Sequence, residues 1–220
     1  MDVAWRGVAG YDGSESLVAG GVVMDVYTAI HGRRSVSTLA EDVPPRAVIE
    51  RLIDAAVWAP NHHLTEPWRF HVLRGEARSE MGASVADRLE KELDPDDSAT
   101  SGAIRSARSR LLRAPIVVVV SQNGSDDPTV DLEDYAAVCC ATQNLMLAAH
   151  AEGLATKWRT GDMCDYRAAK EFLGLSEADR IVAYVYVGYP AARLGPDDRE
   201  RKPPEVGWLG WDDPSDAIVT

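Results

Sequence analysis

Apolar positions begin to recur at a helical spacing at Met24. Val26, Ala29 and Ile30 share one face, and the pattern stops near Gly32. Pro44 and Pro45 then open a stronger helix, because proline suits a first turn, and Ile49, Leu52, Ile53, Ala56 and Val57 form its apolar stripe. Pro60 ends it, since its ring cannot continue the hydrogen-bond ladder. Over 68–73 the period changes to two, with Trp68, Phe70 and Val72 on one face, which predicts a strand. Helices follow around 76–93 and 104–113, with the acidic DPDD between them. The uninterrupted run IVVVV at 116–120 predicts a central strand buried on both faces.

The longest predicted helix covers 131–152. Its middle, YAAVCCATQNLMLAAHA, is apolar or small nearly all round. A helix without a wet face is buried on several sides. One small domain seldom surrounds a helix completely, so the pattern predicts a partner subunit. Gly153 ends this helix, another spans 166–173 up to Gly174, and 181–187 reads as a last strand. Residues 1–23 are Gly-rich without a sustained period, and the tail after Pro190 is rich in Pro, Gly, Asp and Arg, with the anchors of GWLGW. Helices and strands mix without βαβ alternation, and neither GxGxxG nor GxxxxGK[ST] occurs. A Rossmann or P-loop fold is thus disfavoured.

Composition narrows the function. The 220 residues suit one sizeable domain, 45% hydrophobic and 26% charged. Thirty-five acids against 23 bases give a net charge of -12, which argues against nonspecific binding to nucleic acid or an anionic membrane. No apolar run approaches the ~20 residues of a membrane span, and the N-terminus lacks a basic n-region with an apolar h-region, so a cytoplasmic protein is expected. The three cysteines show no metal-binding spacing, and adjacent Cys139 and Cys140 read as packing residues. His62 and His63 have no third ligand at a plausible spacing, so no metal is expected.

Against that acidic background, clusters of Arg are informative. GRRS at 32–35 can hold a phosphate through charge-assisted bonds, or its arginines can complement a helix C-terminus. KWRT at 157–160 fits either a ring with polar edges or a surface strand with a packed Trp. The connector WAPNHHLTEPWRF at 58–70 holds two Trp, two Pro and two adjacent His, more than a chain reversal requires.

Together these segments resemble the nitroreductase family of FMN oxidoreductases, particularly its small, minimal branch. MDVYTAIHGRRS is similar to the family's first helix and Arg-Arg-Ser motif. AAVWAP, NHH and EPWRFHVL resemble its Ala-Pro, polar, Gln-Pro-Trp-x-Phe pattern. GLATKWRTG and LGLSEADRIVAYVYVGYP resemble two later elements, in order, so the likeness covers 24–190. It implies an α+β fold with a central, mostly antiparallel sheet flanked by helices, in an intertwined homodimer. It implies an FMN-dependent enzyme that passes two electrons from NAD(P)H to a small oxidised acceptor such as a nitroaromatic, quinone or enone, by ping-pong, with no catalytic side chain because the flavin carries the chemistry. A reductase for one aldehyde or enone, a flavin oxidase or flavin-processing enzyme, and a non-catalytic flavin-binding protein are the alternatives.

The resemblance also implies site residues. Arg33, Arg34 and Ser35 hold the phosphate and ribityl chain; Trp58 and His62 lie on the flavin-contacting loop, His62 across the dimer interface; Ala148, Ala149, His150, Ala151, Glu152 and Gly153 end the long helix near the cofactor; Trp158, Arg159 and Thr160 approach from the other side. Arg201 or Lys202 of the tail maps loosely onto the phosphate. Two departures stand out: Glu66 replaces the common Gln, where an inward carboxylate would disfavour an anionic reduced flavin, and Trp58 stands where a basic residue can occur. The expected organisation is a loosely ordered, dispensable extension over 1–23, an FMN-binding domain over 24–190 and a tail over 191–220 that packs on the dimer.

Overall fold

The structure is a computed structural model that describes residues 24–94, 97–193, 195, 200–207 and 209–210. The expectation for 1–23, and two anchors of the tail, Trp208 and Trp211, lie outside the described residues.

Short polar caps start the helices. Asp25 accepts from the amides of Tyr27 (2.9 Å) and Thr28 (3.1 Å) to begin α1, Val26–Gly32. Pro45 precedes α2, Arg46–Ala56. Strand β1, Trp68–Arg74, leads into α3, Glu76–Glu92. Asp97 accepts from the Thr100 amide (2.8 Å), so α4 is Ser98–Arg110 and begins before the apolar pattern at Ile104 does. Strand β2, Ile116–Gln122, follows. Asp127 caps the long helix α5, Pro128–Ala151, three residues ahead of its predicted start because the cap and Pro128 set its first turn. Strand β3, Ala155–Arg159, helix α6, Arg167–Phe172, and strand β4, Arg180–Gly188, complete the order.

The four strands form one sheet, ordered β1-β2-β4-β3, and every pair is antiparallel. The β2 run is buried on both faces, as its composition predicts. Val118 and Val120 meet Leu52 of α2 and Val138 and Leu145 of α5, while Val117 and Val119 meet Met81 and Val85 of α3 and Tyr184 of β4. Two apolar cores therefore sandwich the sheet. KWRT is largely strand: β3 pairs with β4, and Trp158 packs on the α2–α5 core with its indole N–H donating to the Val182 carbonyl (3.3 Å). The outer edge of β3 is closed by the chain after α1, where Ser35 bridges Thr156 in parallel and the Val36 amide donates to Thr156 (3.0 Å).

Helix α5 buries Val138, Ala141, Leu145 and Ala149. Its opposite side is open in the protomer: Leu132 is 68% exposed, and Ala136 and Cys140 are also exposed. The adjacent cysteines thus part company. Cys139 packs on the core, where burial pushes its thiol pKa up, whereas Cys140 is no packing residue within one chain because it falls on the open side. No described helix is long and apolar enough to cross a membrane.

Candidate functional site

The turn that ends α5 brings the first group of candidate residues together. Gly153 adopts φ 76°, a left-handed conformation that closes the helix, and the Leu154 amide reaches back to the Ala149 carbonyl (2.8 Å). Glu152 at this cap forms a two-pronged pair with Arg51 of α2, at 2.6 and 2.8 Å. The pair with Arg51 holds the Glu152 carboxyl below its ordinary pKa against the opposing effect of burial. Gly32 meets this helix end: a Cβ there would lie 2.7 Å from His150 Nε2, so a larger residue would push the imidazole aside. Arg33 and Arg34 follow at once, and both depress the His150 pKa after burial, the larger cause. Arg34 also donates to the Gly195 carbonyl, and Lys157 donates to the Ser37 hydroxyl (2.6 Å). Arg33, Arg34, Ser35 and the 148–153 turn are thus concentrated at one end of α5, whereas Lys157 lies on the sheet face of Tyr186, opposite Trp158.

His62 is at the other end. The His62 Nδ1 lies 3.5 Å from Glu133 Oε2, near the start of α5. Trp58 is 80% exposed just beyond α2, and Leu64 of the same loop is equally bare. From Glu133 to His150 is 17 residues of helix, about 25 Å at 1.5 Å per residue. Within one chain, the His62 loop and the Arg33 cluster are therefore separated by most of the length of α5. Arg159 and Thr160 are placed apart as well. Arg159 pairs in register with Tyr184, on the sheet face opposite Trp158, and with Arg110 and Arg113 it moderates the burial-driven rise of the Tyr186 pKa. Thr160 is exposed, about 13 Å along the strand from Thr156. Arg201 and Lys202 of the tail are exposed. A small hollow between α3 and α4, lined by Met81, Val85, Arg110 and Tyr184, lies on the other side of the sheet from His150 and holds none of the expected site residues.

The loop itself is strained and tied down. His63, Leu64 and Glu66 have φ of 53°, 54° and 44°, values that side chains with a Cβ seldom adopt. Closure comes from the Glu66 amide, which donates to Asn61 Oδ1 (3.1 Å), and from the Thr65 hydroxyl, which donates to the buried Asp134 carboxylate of α5 (2.6 Å). Sequence reasoning overlooked Thr65, Asp134 and Arg51, because their partners lie far along the chain and no spacing signals them. Thr65→Val is expected to destabilise the protein by about 1–3 kcal/mol, since it strands a buried acceptor, with Thr65→Ser close to wild type. Urea titration of the two variants checks this; equal stability would show that Asp134 does not hold the loop.

The donor set at the α5 end suits an anion: two guanidinium groups and a hydroxyl in a chain of net charge -12. The absence of a Cβ at Gly32 lets the His150 ring lie against the backbone of this turn. Among the described residues, no group of three or more His, Cys, Asp or Glu is placed to hold a metal ion.

Comparison with known proteins shows the family of the chain. The Nitroreductase family profile matches residues 30–189. The chain is 32% identical over 168 residues to the Escherichia coli K12 protein named "Putative NAD(P)H nitroreductase YdjA", a match covering 76% of this chain and 89% of the relative. A nitroreductase-like family protein from Bacillus cereus superimposes with a TM-score of 0.71 at 30% identity, over 84% of this chain and 95% of that one. A nitroreductase from Bacteroides fragilis NCTC 9343, solved with bound FMN, shares the fold with a TM-score of 0.66 at 23% identity, over 84% and 99%. From the Arg-Arg-Ser turn after α1 to the end of β4, the chain belongs to the nitroreductase family.

Proposed function

We propose that this chain is an FMN-dependent oxidoreductase, working as a homodimer, that takes two electrons from NAD(P)H and delivers them to a small oxidised acceptor such as a nitroaromatic, quinone or enone. The observation that carries the dimeric site is the separation of about 25 Å between His62 and the Arg33 cluster along α5. A second copy packed antiparallel along the open side of α5 brings the partner's His62 loop to this chain's Arg33 end, and the reverse. The exposed Leu132, Ala136 and Cys140 supply the apolar face for that contact, and the bare Trp58 and Leu64 are covered by it.

Arg33, Arg34 and Ser35 hold the phosphate, and the 148–153 turn borders the ring. The partner's Trp58 and His62 close the ring from across the interface. When bound, FMN supplies the two-electron chemistry at its N5. The protein's part is to bind and orient, so no side chain is assigned as acid or base. Donor and acceptor use one cavity in turn, the order that defines ping-pong kinetics. FMN uptake by the purified chain, bleaching by NAD(P)H and recolouring by a nitroaromatic or quinone test the reading. A chain that takes up no FMN overturns it, and a yellow chain that NAD(P)H leaves unbleached is a flavin binder instead.

Assembly has its own test. An interface built along all of α5 is expected to exceed ~2,000 Å², the range of obligate dimers. Sedimentation at nanomolar concentration is expected to find the flavin-loaded species as a dimer. Leu132→Glu, which buries a charge in that face, is expected to release monomers and flavin together. A stable, flavin-loaded monomer would rule out the shared site.

A further inference from the structure

His150 occupies the last turn of α5, half-buried, with its imidazole against the backbone of Gly32. The two residues after Gly32 are Arg33 and Arg34. Glu152 on the same turn is held by Arg51 of α2, and Arg34 donates to the Gly195 carbonyl. His31, in the last turn of α1, is the second histidine of the neighbourhood. A helix C-terminus by itself favours a protonated histidine. Burial and the two arginines outweigh that here and hold the imidazole pKa below its ordinary value.

We propose that His150 is a further ligand of the flavin phosphate, binding it as the imidazolium, so that FMN association takes up a proton at this residue. The proposal rests on the FMN reading above. A dianionic phosphate placed by Arg33 and Arg34 offsets their field and adds an attraction of its own, which favours the charged imidazole. The sign follows. A group whose pKa rises on binding takes up a proton between its free and bound values, so affinity strengthens as pH falls through that window. The phosphate's own second ionisation, near pH ~6, works the other way, because contact with arginine favours its loss of a proton. Net uptake at neutral pH is therefore the mark of the histidine. Riboflavin, which has the same ring without the phosphate, lacks the effect.

The test uses the full chain stripped of flavin and titrated with FMN and with riboflavin. Wild type is expected to bind FMN about three- to tenfold more tightly at about pH 6.5 than at about pH 8, a histidine's range. His150→Gln is expected to lose that gain, and His31→Gln to keep it. Riboflavin affinity is expected to be independent of pH in all three. Calorimetry of the wild type in two buffers of different ionisation enthalpy reads the proton directly and needs no variant to fold. Net uptake with FMN and none with riboflavin supports the assignment. Proton release, a pH slope retained in His150→Gln, or a slope lost in His31→Gln instead, overturns it while leaving FMN binding intact. Binding of neither flavin by the wild type overturns the FMN reading and this assignment with it.

Discussion

Asp179→Ala is expected to remove about 3–5 kcal/mol of stability, a large share of the ~5–15 kcal/mol typical of a folded domain. Asp179 is nearly buried, and its carboxylate accepts from the amides of Ser176 (2.8 Å) and Gly124 (3.1 Å) and from Arg69 (3.1 Å). It thereby joins the turn before β4, the loop after β2 and strand β1. The Arg69 contact is discounted, because that side chain is 46% exposed and solvent screens it. The two amides carry most of the effect, since truncation leaves them without this acceptor. Burial acts to raise the Asp179 pKa, but the Ser176 and Gly124 amides, with help from the Ser176 hydroxyl and Arg69, hold it below the ordinary value of 3.8. Its contribution is thus fully present above that value and is lost as pH falls through the lower folded pKa. Urea titrations at fixed protein concentration should show a wide gap between wild type and variant at pH ~7 that narrows below pH ~4. A gap unchanged in acid would mean that the loss comes from packing rather than from the carboxylate.

Arg33→Ala is expected to weaken FMN binding about ten- to a hundredfold, the loss of one charge-assisted contact, while riboflavin affinity stays close to wild type. The reasoning is positional. Arg33 is the helix cap that follows Gly32, and its backbone amide is fixed on the Ala29 carbonyl (3.0 Å). The side chain therefore starts from an ordered point beside His150. Arg33→Lys should recover only part of the affinity, because an ammonium lacks the planar fork that matches a phosphate. Quenching of flavin fluorescence measures both variants. Unchanged FMN affinity in a folded Arg33→Ala protein would remove this residue from the phosphate site, and an equal loss for riboflavin would mean that the variant damages the pocket as a whole.

Elements governed by short-range pattern were legible before any coordinates. IVVVV at 116–120 is a strand buried on both faces, and the all-round apolarity of α5 marks a helix with too little solvent to face. Both signals arise because side-chain direction repeats every 2 or 3.6 residues, so burial is written into the order of residues. The starts of α4 and α5 were less legible, because Asp97 and Asp127 act through one or two backbone bonds each and leave no periodic trace. The identity of β3 was open for a similar reason: five residues with Lys and Arg among them become a strand only by pairing with β4.

For the candidate site, the sequence determined which chemistry is present: two arginines and a serine after a helix, a glycine at the close of α5, an aromatic-rich loop. Tertiary structure alone decided which of these meet. It set Arg33 beside His150, 117 positions on by the numbering, and put His62 at the far end of the same helix. It also produced left-handed backbone at His63, Leu64 and Glu66, where local preference argues for none, and tied it down through Thr65 and Asp134. The physical reason is range. Propensity and periodicity act over a few residues of chain, whereas a buried hydrogen bond or a cluster of like charges depends on packing between segments that the chain order leaves far apart.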